Sequence, residues 1–283
     1  MWALILHGGA KEIEPDKADF SRAGCKAALV AGRDILMQGG SAIDAVEAAL
    51  RVLEDDPTFN CGFGSALHEA GQVEMCSGIM NGATFDVGAV SVIEGVRHPI
   101  SVAKAMLSEE VILLSGPGAR KFAADNGQEL CDPADLIVGE RPGAHDTVGC
   151  VALDSHGLLV AGTSTGGLDG TKVGRVGDAP MPGCGYYADN AVGAVALSGD
   201  GEHIARMMLA ARIMRGLEHG DPDSAIQTAL AQLTMIGGEA GAIALTPDGR
   251  FGWMHTSRDF VVAMASSAAP EPHVYLNQTE STR

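Results

Sequence analysis

Two stretches of the chain, residues 150–161 and 241–254, share one design: an apolar run, a short polar turn and a second apolar run. The turns contain Gly157 and Gly249, and this pattern is typical of β-hairpins, whose strands pair antiparallel. Segments with apolar residues at helical spacing lie before the first hairpin and between the two. This order favours two antiparallel sheets between helical layers over a doubly wound parallel sheet. We therefore predict an α+β fold, a four-layer αββα sandwich, in one domain over residues 1–283.

Local signals place several elements. Residues 3–6 are predicted to form a buried strand that ends at the turn His7-Gly-Gly-Ala10. A helix with apolar positions over 25–36 stops at two glycines, and Ser41 is the N-cap of a second helix, so the two form an αα-hairpin. Apolar spacing predicts two further helical faces, over 204–214 and 226–233.

Composition excludes several classes of protein. The net charge of −17 argues against binding to nucleic acid or to anionic membranes, which need a basic face. No apolar run approaches the ~20 residues of a membrane span, and the apolar N-terminus is too short for a signal peptide. Six cysteines without metal-ligand spacing indicate reduced, mostly buried thiols. We expect a cytoplasmic protein that acts on a small molecule without a catalytic cofactor.

The segment around Thr147 points to a reaction. A threonine hydroxyl is a weak nucleophile unless a base lies beside it. Cleavage between Asp146 and Thr147 would supply that base, because a free α-amine has a pKa of roughly 7.7–8.0 and is partly unprotonated at neutral pH. Thr165, followed by two glycines, offers a second hydroxyl. We interpret Thr147 as the nucleophile of a precursor that cleaves its own 146–147 bond.

A glycine- and proline-rich stretch follows Thr165 and contains Arg175 and Asp178. An arginine fork can donate two hydrogen bonds to a carboxylate, and an aspartate can bind an ammonium group. Together these residues would recognise the head group of a free amino acid.

Further segments complete a pattern: residues 7–10 (His-Gly-Gly-Ala), residues 57–64 (Pro-Thr-Phe-Asn-Cys-Gly-Phe-Gly), residues 88–90, and Gly201. With Thr147 they resemble the plant-type asparaginase and isoaspartyl peptidase family, N-terminal nucleophile hydrolases related to the glycosylasparaginases. The resemblance implies release of L-aspartate from isoaspartyl dipeptides and L-asparagine through an aspartyl-enzyme ester. It also implies maturation into chains 1–146 and 147–283 and a homodimer of these heterodimers.

The resemblance assigns roles by position. These are the nucleophile Thr147, the orienting hydroxyl Thr165, the carboxylate-binding Arg175, the amine-binding Asp178, the oxyanion hole of Ser198 and the backbone of Gly199, and Gly201 lining the head-group site. It further implies a structural sodium ion on the backbone of one loop, which with Asn60 would brace the nucleophile. The predicted sodium ligands are the carbonyls of Leu53, Glu54, Asp56, Phe59, Cys61 and Phe63.

Two positions depart from the family pattern. Ser198 stands where threonine is usual, which keeps the hydroxyl but loses the methyl group that limits its rotamers. Asn81 replaces a usual aspartate, and the segment before Thr147 is shorter than in many relatives. These changes bear first on the efficiency of self-cleavage.

Other functions stay open at this point. His145-Asp146-Thr147 resembles the glycosylasparaginases, whereas Thr165-Gly166-Gly167 resembles the isoaspartyl peptidases. An inactive relative that binds amino acids is a further alternative, and it would show binding without turnover.

A serine hydrolase is an alternative from another class. Residues 162–166 match a nucleophile elbow around Ser164, and the His-Gly-Gly at residues 7–9 resembles an esterase oxyanion motif. Asp178 with His203 or His255 would complete the triad. However, the elbow requires a helix directly after the serine, and the glycines that follow do not readily begin one.

Overall fold

A computed structural model describes residues 1–138 and 147–281 of the protein. In these residues the strands form two sheets. The strands are β1 (Ala3–Lys11), β2 (Met75–Asn81), β3 (Val87–Ile93), β4 (Leu113–Ser115), β5 (Val148–Leu153), β6 (Leu159–Thr165), β7 (Tyr186–Asp189), β8 (Gly193–Gly199), β9 (Ala240–Leu245), β10 (Phe251–His255), β11 (Asp259–Ser266) and β12 (Ala269–Tyr275). Eight form a sheet in the order β12-β11-β1-β5-β6-β2-β3-β4, and four form a sheet in the order β10-β9-β8-β7.

The helices lie between and after these strands, and the predicted N-cap is present: the Ser41 side chain accepts a hydrogen bond from the Asp44 N–H at 3.1 Å. Across the described residues, no helix is both long and apolar enough to cross a bilayer. The helices are α1 (Ala18–Met37), α2 (Ala42–Asp55), α3 (Pro99–Ala105), α4 (Gly116–Asp125), α5 (Gly201–Met207), α6 (Leu209–Leu217), α7 (Pro222–Thr234) and α8 (Gln278–Ser281).

The elements stack in four layers. Alternate residues of the larger sheet, such as Ile5 and Val151, pack against Ala196 and Ile243 of the smaller sheet and form the central core. The opposite face of the larger sheet is covered by α1 and α2, and the outer face of the smaller sheet by α6 and α7. Both predicted hairpins, β5–β6 and β9–β10, are present and antiparallel. The predicted αββα sandwich is confirmed.

Two strand details differ from the predictions. The first strand does not end at His7 but continues to Lys11, with a bulge between His7 and Ala10 that lets it pair with β11 on both sides of the irregularity. The larger sheet is also not wholly antiparallel, because its edge strand β4 pairs parallel to β3. Helix α3 lies between these two strands in the chain, and a crossover of this kind returns the chain in the same direction.

The single helical face predicted over 204–214 is wrong. Met208 adopts a left-handed conformation, with φ 50°, and separates α5 from α6. The N–H groups of Ala210 and Ala211 donate to the carbonyls of Cys184 and Gly183, at 3.1 and 3.0 Å. A distant loop therefore supplies acceptors for the first turn of α6, and Met208 is exposed rather than in the core.

Candidate active site

Six residues predicted for the site line one pocket where β5 begins and where β6 and β8 end. The neighbouring lining residues come from the loop that follows β6. The pocket is lined by Thr147, Thr165, Gly167, Leu168, Arg175, Gly177, Asp178, Ala179, Gly199 and Gly201.

Thr147 and Thr165 are brought together by strand register. Thr147 directly precedes β5, Thr165 ends β6, and Val148 pairs with Ser164 in this antiparallel ladder. The next step of the register sets the two threonines opposite each other, where Cβ atoms lie about 4.5–5.5 Å apart. Both are nearly buried and both line the pocket. Asp146, the other side of the predicted cleavage site, lies outside the described residues.

Asn60 braces the turn after Thr165. Its Nδ2 donates to the Gly167 carbonyl at 2.7 Å, and its own carbonyl accepts the Gly166 N–H at 2.8 Å. Its Oδ1 accepts the Ala66 N–H at 2.8 Å, which fixes the amide orientation. In these contacts Asn60 supports Thr165 and the turn that follows it, one strand away from Thr147.

Arg175 is held by an acid that the sequence predictions did not assign. Glu202 accepts hydrogen bonds from Nε and Nη2 of Arg175 at 2.9 and 2.8 Å. The hydrogen bond from Arg175 is the main reason that the pKa of Glu202 lies below its ordinary value. The Nη1 side approaches Gly177 so closely that a Cβ there would lie 2.9 Å from Nη1. Glu202 directly follows the predicted Gly201, and this adjacency was the only sequence signal for it.

Asp178 is buried in the same pocket. Its carboxylate oxygen Oδ2 has no hydrogen-bond partner among the described residues. Burial raises the pKa of Asp178 to about 7; the Arg175 charge opposes this rise and the Glu202 charge adds to it. A Cβ on Gly201 would lie 2.9 Å from Oδ1 of Asp178 and 3.0 Å from Nη2 of Arg175. The glycine thus leaves room between the two charged groups, as a head-group site requires.

Ser198 lies beside the pocket rather than in its lining. It is fully buried on β8, and its Oγ accepts the N–H of Ala10 at 3.1 Å. Ala10 follows the bulge in β1, so the first strand contacts the second sheet at this point. The hydroxyl proton of Ser198 is not used in this contact, and the adjacent Gly199 does line the pocket.

The serine-hydrolase alternative is wrong. Ser164 is fully buried on the opposite face of β6 from the pocket, and its Oγ donates to Oε1 of Glu54 at 2.6 Å. No helix follows it, because β6 continues through Thr165 into a glycine turn. His255 contacts the Ser257 carbonyl through Nδ1, at 2.9 Å, and stacks on Trp253. Asp178 lines the threonine pocket instead of joining a serine triad.

The loop predicted to hold sodium directs several carbonyl groups toward its own glycines. The carbonyls of Glu54 and Phe59 lie so close to Gly62 and Gly64, respectively, that a Cβ on either glycine would overlap them. Oxygen-only donors suit a hard cation. Within the described ranges, no cluster of His, Cys, Asp or Glu side chains could hold a metal ion. Four of the six predicted ligand carbonyls, those of residues 53, 56, 59 and 61, already accept a backbone N–H within the loop. The sodium site stays a prediction.

Comparison with known proteins agrees with this geometry. A family model described as Asparaginase matches residues 1–144 and 138–274. A Xenopus laevis protein named isoaspartyl peptidase/L-asparaginase is 40% identical over 267 residues, which cover 87% of this chain and 86% of the relative. Proteins of the same name from Bos taurus and Homo sapiens are 38% and 37% identical, each over 92% of both chains. The chain therefore belongs to the asparaginase family.

Proposed function

We propose that this protein is an N-terminal threonine amidohydrolase that releases L-aspartate from isoaspartyl dipeptides and L-asparagine. The proposal rests on the one pocket that two threonines share with an arginine and a buried aspartate. The name isoaspartyl peptidase/L-asparaginase of the relatives supports this substrate class. None of these names favours the glycosylasparaginase alternative.

The head group of the substrate is assigned to the charged end of the pocket. Arg175 donates to the α-carboxylate through its remaining guanidinium hydrogens, while Glu202 accepts from Nε and Nη2. Asp178 accepts hydrogen bonds from the α-ammonium group. Because Gly201 has no side chain, there is space for the carboxylate and the ammonium group of the substrate. This orientation presents the side-chain amide of the substrate to the two threonines.

The reaction follows from the threonine pair. Oγ1 of Thr147 forms a bond to the amide carbon while its proton passes to the α-amine, and Thr165 orients the attacking hydroxyl. Ser198 and the N–H of Gly199 donate to the oxyanion; losing one such donor costs about 3 kcal/mol of barrier. Breaking the C–N bond returns the proton to the departing ammonia or peptide amine. Water then hydrolyses the ester, which releases L-aspartate and restores the hydroxyl.

The α-amine requires a cut chain. In the proposed maturation the hydroxyl of Thr147 first attacks the carbonyl of Asp146, and water cleaves the resulting ester to give chains 1–146 and 147–283. The assembly proposed is a homodimer of these heterodimers. A cytoplasmic location is proposed because six cysteines without metal-ligand spacing, four of them buried, suit a reducing compartment.

A structural sodium ion is proposed for the loop that contains Asn60. The carbonyls of residues 53, 54, 56, 59, 61 and 63 would hold it, and its role would be to stiffen the loop from which Asn60 contacts the turn after Thr165. The measurement is thermal unfolding in sodium chloride against choline chloride at equal ionic strength. An unfolding temperature independent of the cation would contradict the site.

The experiment that tests the function combines intact mass with turnover. The wild-type protein and Thr147→Ala are purified and incubated at neutral pH, and their intact masses are measured by mass spectrometry. Both are then assayed with L-asparagine, an isoaspartyl dipeptide and a sugar-linked asparagine. We expect cleavage before residue 147 and release of aspartate from the first two substrates in the wild type alone.

Other outcomes would redirect the proposal. Preferred turnover of the sugar-linked substrate would identify a glycosylasparaginase. An uncut wild-type chain that binds L-aspartate but converts none of the three substrates would leave an inactive amino-acid-binding relative.

A further inference from the structure

A buried carboxylate lies behind the threonine pair and has no part in the chemistry proposed above. Glu54, in the last turn of α2, is fully buried. Its Oε1 accepts hydrogen bonds from the Ser164 hydroxyl at 2.6 Å and from the Ile100 N–H at 3.0 Å. Its Oε2 lies 3.4 Å from Nδ1 of the buried His98. One side chain therefore joins the end of α2, the start of α3 and strand β6.

Ser164 connects this carboxylate to the reacting residues. It directly precedes Thr165 on β6, and across the ladder it pairs with Val148, the neighbour of Thr147. Because side chains alternate along a strand, Ser164 faces the helical layer while Thr165 faces the pocket. A bond that fixes Ser164 therefore also fixes the end of β6 that carries Thr165 and that pairs with the start of β5, beside Thr147.

The head-group residues belong to other parts of the chain. Arg175 and Asp178 lie in the loop after β6, and Gly201 begins α5. Among the described residues, the contacts of Arg175, Asp178 and Gly201 given above involve neither Glu54 nor Ser164. A small shift of the β5–β6 ends would thus move the hydroxyls relative to a substrate whose head group stays in place.

We propose that Glu54, through Ser164, is a positioning residue that sets the placement of Thr147 and Thr165 for attack. The proposal rests on the proposed function, because placement for attack has meaning only where the threonine hydroxyls react. A hydrogen bond of 2.6 Å in a buried site is short and directional, so it restricts strand position more than apolar packing does. Misplacement of reacting groups by about 1 Å costs on the order of 100-fold in rate.

The test compares two buried serines that lie opposite each other. Ser164→Ala removes the bond to Glu54. Ser77→Ala is the matched control, since Ser77 pairs with Ser164 on β2, is equally buried, and donates instead to the Thr163 carbonyl at 2.7 Å. We expect Ser164→Ala to lower kcat for L-asparagine about tenfold with KM changed less than twofold. We expect Ser77→Ala to lower the unfolding temperature similarly but to keep kcat.

A conservative variant gives a second readout. Glu54→Gln keeps an amide oxygen for the Ser164 and Ile100 donors and is expected to retain kcat within about threefold, whereas Glu54→Leu is expected to lose it. If Glu54→Leu does not fold, the Ser164→Ala measurement decides.

The outcomes separate this inference from the function itself. Equal losses of kcat in Ser164→Ala and Ser77→Ala would overturn the positioning role, and so would a rise in KM with kcat unchanged. Either result would leave the enzyme proposal intact. A wild-type protein without turnover would overturn both.

Discussion

The buried carboxyl of Asp178 allows the head-group site to be tested through stability. Burial raises its pKa from 3.8 to about 7, which corresponds to about 4 kcal/mol. The folded protein therefore holds this proton more tightly than the unfolded chain does. For that reason the free energy of unfolding falls as the pH rises from about 4 to about 7, and the loss persists at higher pH. We expect Asp178→Asn to remove this loss and to stabilise the protein at pH 8.

The measurement is urea unfolding at pH 5 and pH 8, with Asp178→Asn placed in the Thr147→Ala chain so that every molecule stays uncut. Between pH 5 and about 7 the carboxyl costs the parent about 3 kcal/mol, so the gain from asparagine should be larger at pH 8 by that amount. Asp125→Asn, at an exposed site on α4, is the matched control and should show little difference between the two pH values. An equal effect of Asp178→Asn at both pH values would refute the reasoning from burial.

The same substitution should reduce turnover in the cleavable chain. Removing one partner of a buried charge pair typically costs 3–5 kcal/mol, so kcat/KM for L-asparagine is expected to fall by about 100-fold or more. A gain in stability together with a loss of turnover is expected of a carboxylate that is buried to meet the ammonium of a ligand. Unchanged kcat/KM would remove Asp178 from the binding site.

Two further predictions concern neighbours of Asp178. Gly201→Ala would place a Cβ 2.9 Å from the Asp178 carboxylate and is expected to raise KM for L-asparagine by about 100-fold. Gly118→Ala is the control: a Cβ there meets nothing within 4 Å, so KM should not change. Glu202→Gln leaves Arg175 with one acceptor oxygen in place of two, so KM for L-asparagine should rise about fivefold while kcat stays within twofold. An unchanged KM in steady-state assays would show that Glu202 does not orient the guanidinium for the substrate.

Much of the architecture was predictable because it is encoded locally. The hairpin at 150–161 has its turn glycine at Gly157, where φ is 85°, and Ser41 caps α2 through its own side chain. Such signals involve residues a few positions apart, so a single sequence reveals them. The candidate site residues were predicted in a different way. Thr147, Arg175 and the glycines carried a family resemblance, and the pocket then brought them together.

The features that sequence reasoning missed depend on distant contacts. The break at Met208 is fixed by carbonyls of residues 183 and 184, far away in the chain, so helical spacing alone predicted a continuous face. The role of Glu202 depends on the loop that brings Arg175 to it from 27 residues away. Ser164 matched a serine-hydrolase pattern, but strand alternation turns it toward Glu54. In each case the local sequence is compatible with two outcomes, and tertiary packing selects one.

Charge balance bears on the proposed binding of an amino acid head group by an acidic protein. The net charge of −17 repels a carboxylate at long range, so Arg175 would have to bind one through local geometry, which Glu202 provides. Without a bound ligand the pKa of Asp178 is about 7, so its carboxyl titrates around neutral pH, and an ammonium group beside it favours the ionised form. Binding of L-aspartate to the uncut Thr147→Ala chain, which lacks a free amine at residue 147, should therefore release protons at pH 7 and far fewer at pH 9. Calorimetry in buffers of different ionisation enthalpy measures this release. Binding without release at pH 7 would mean that Asp178 is already ionised in the empty pocket, and that its burial does not favour the protonated form.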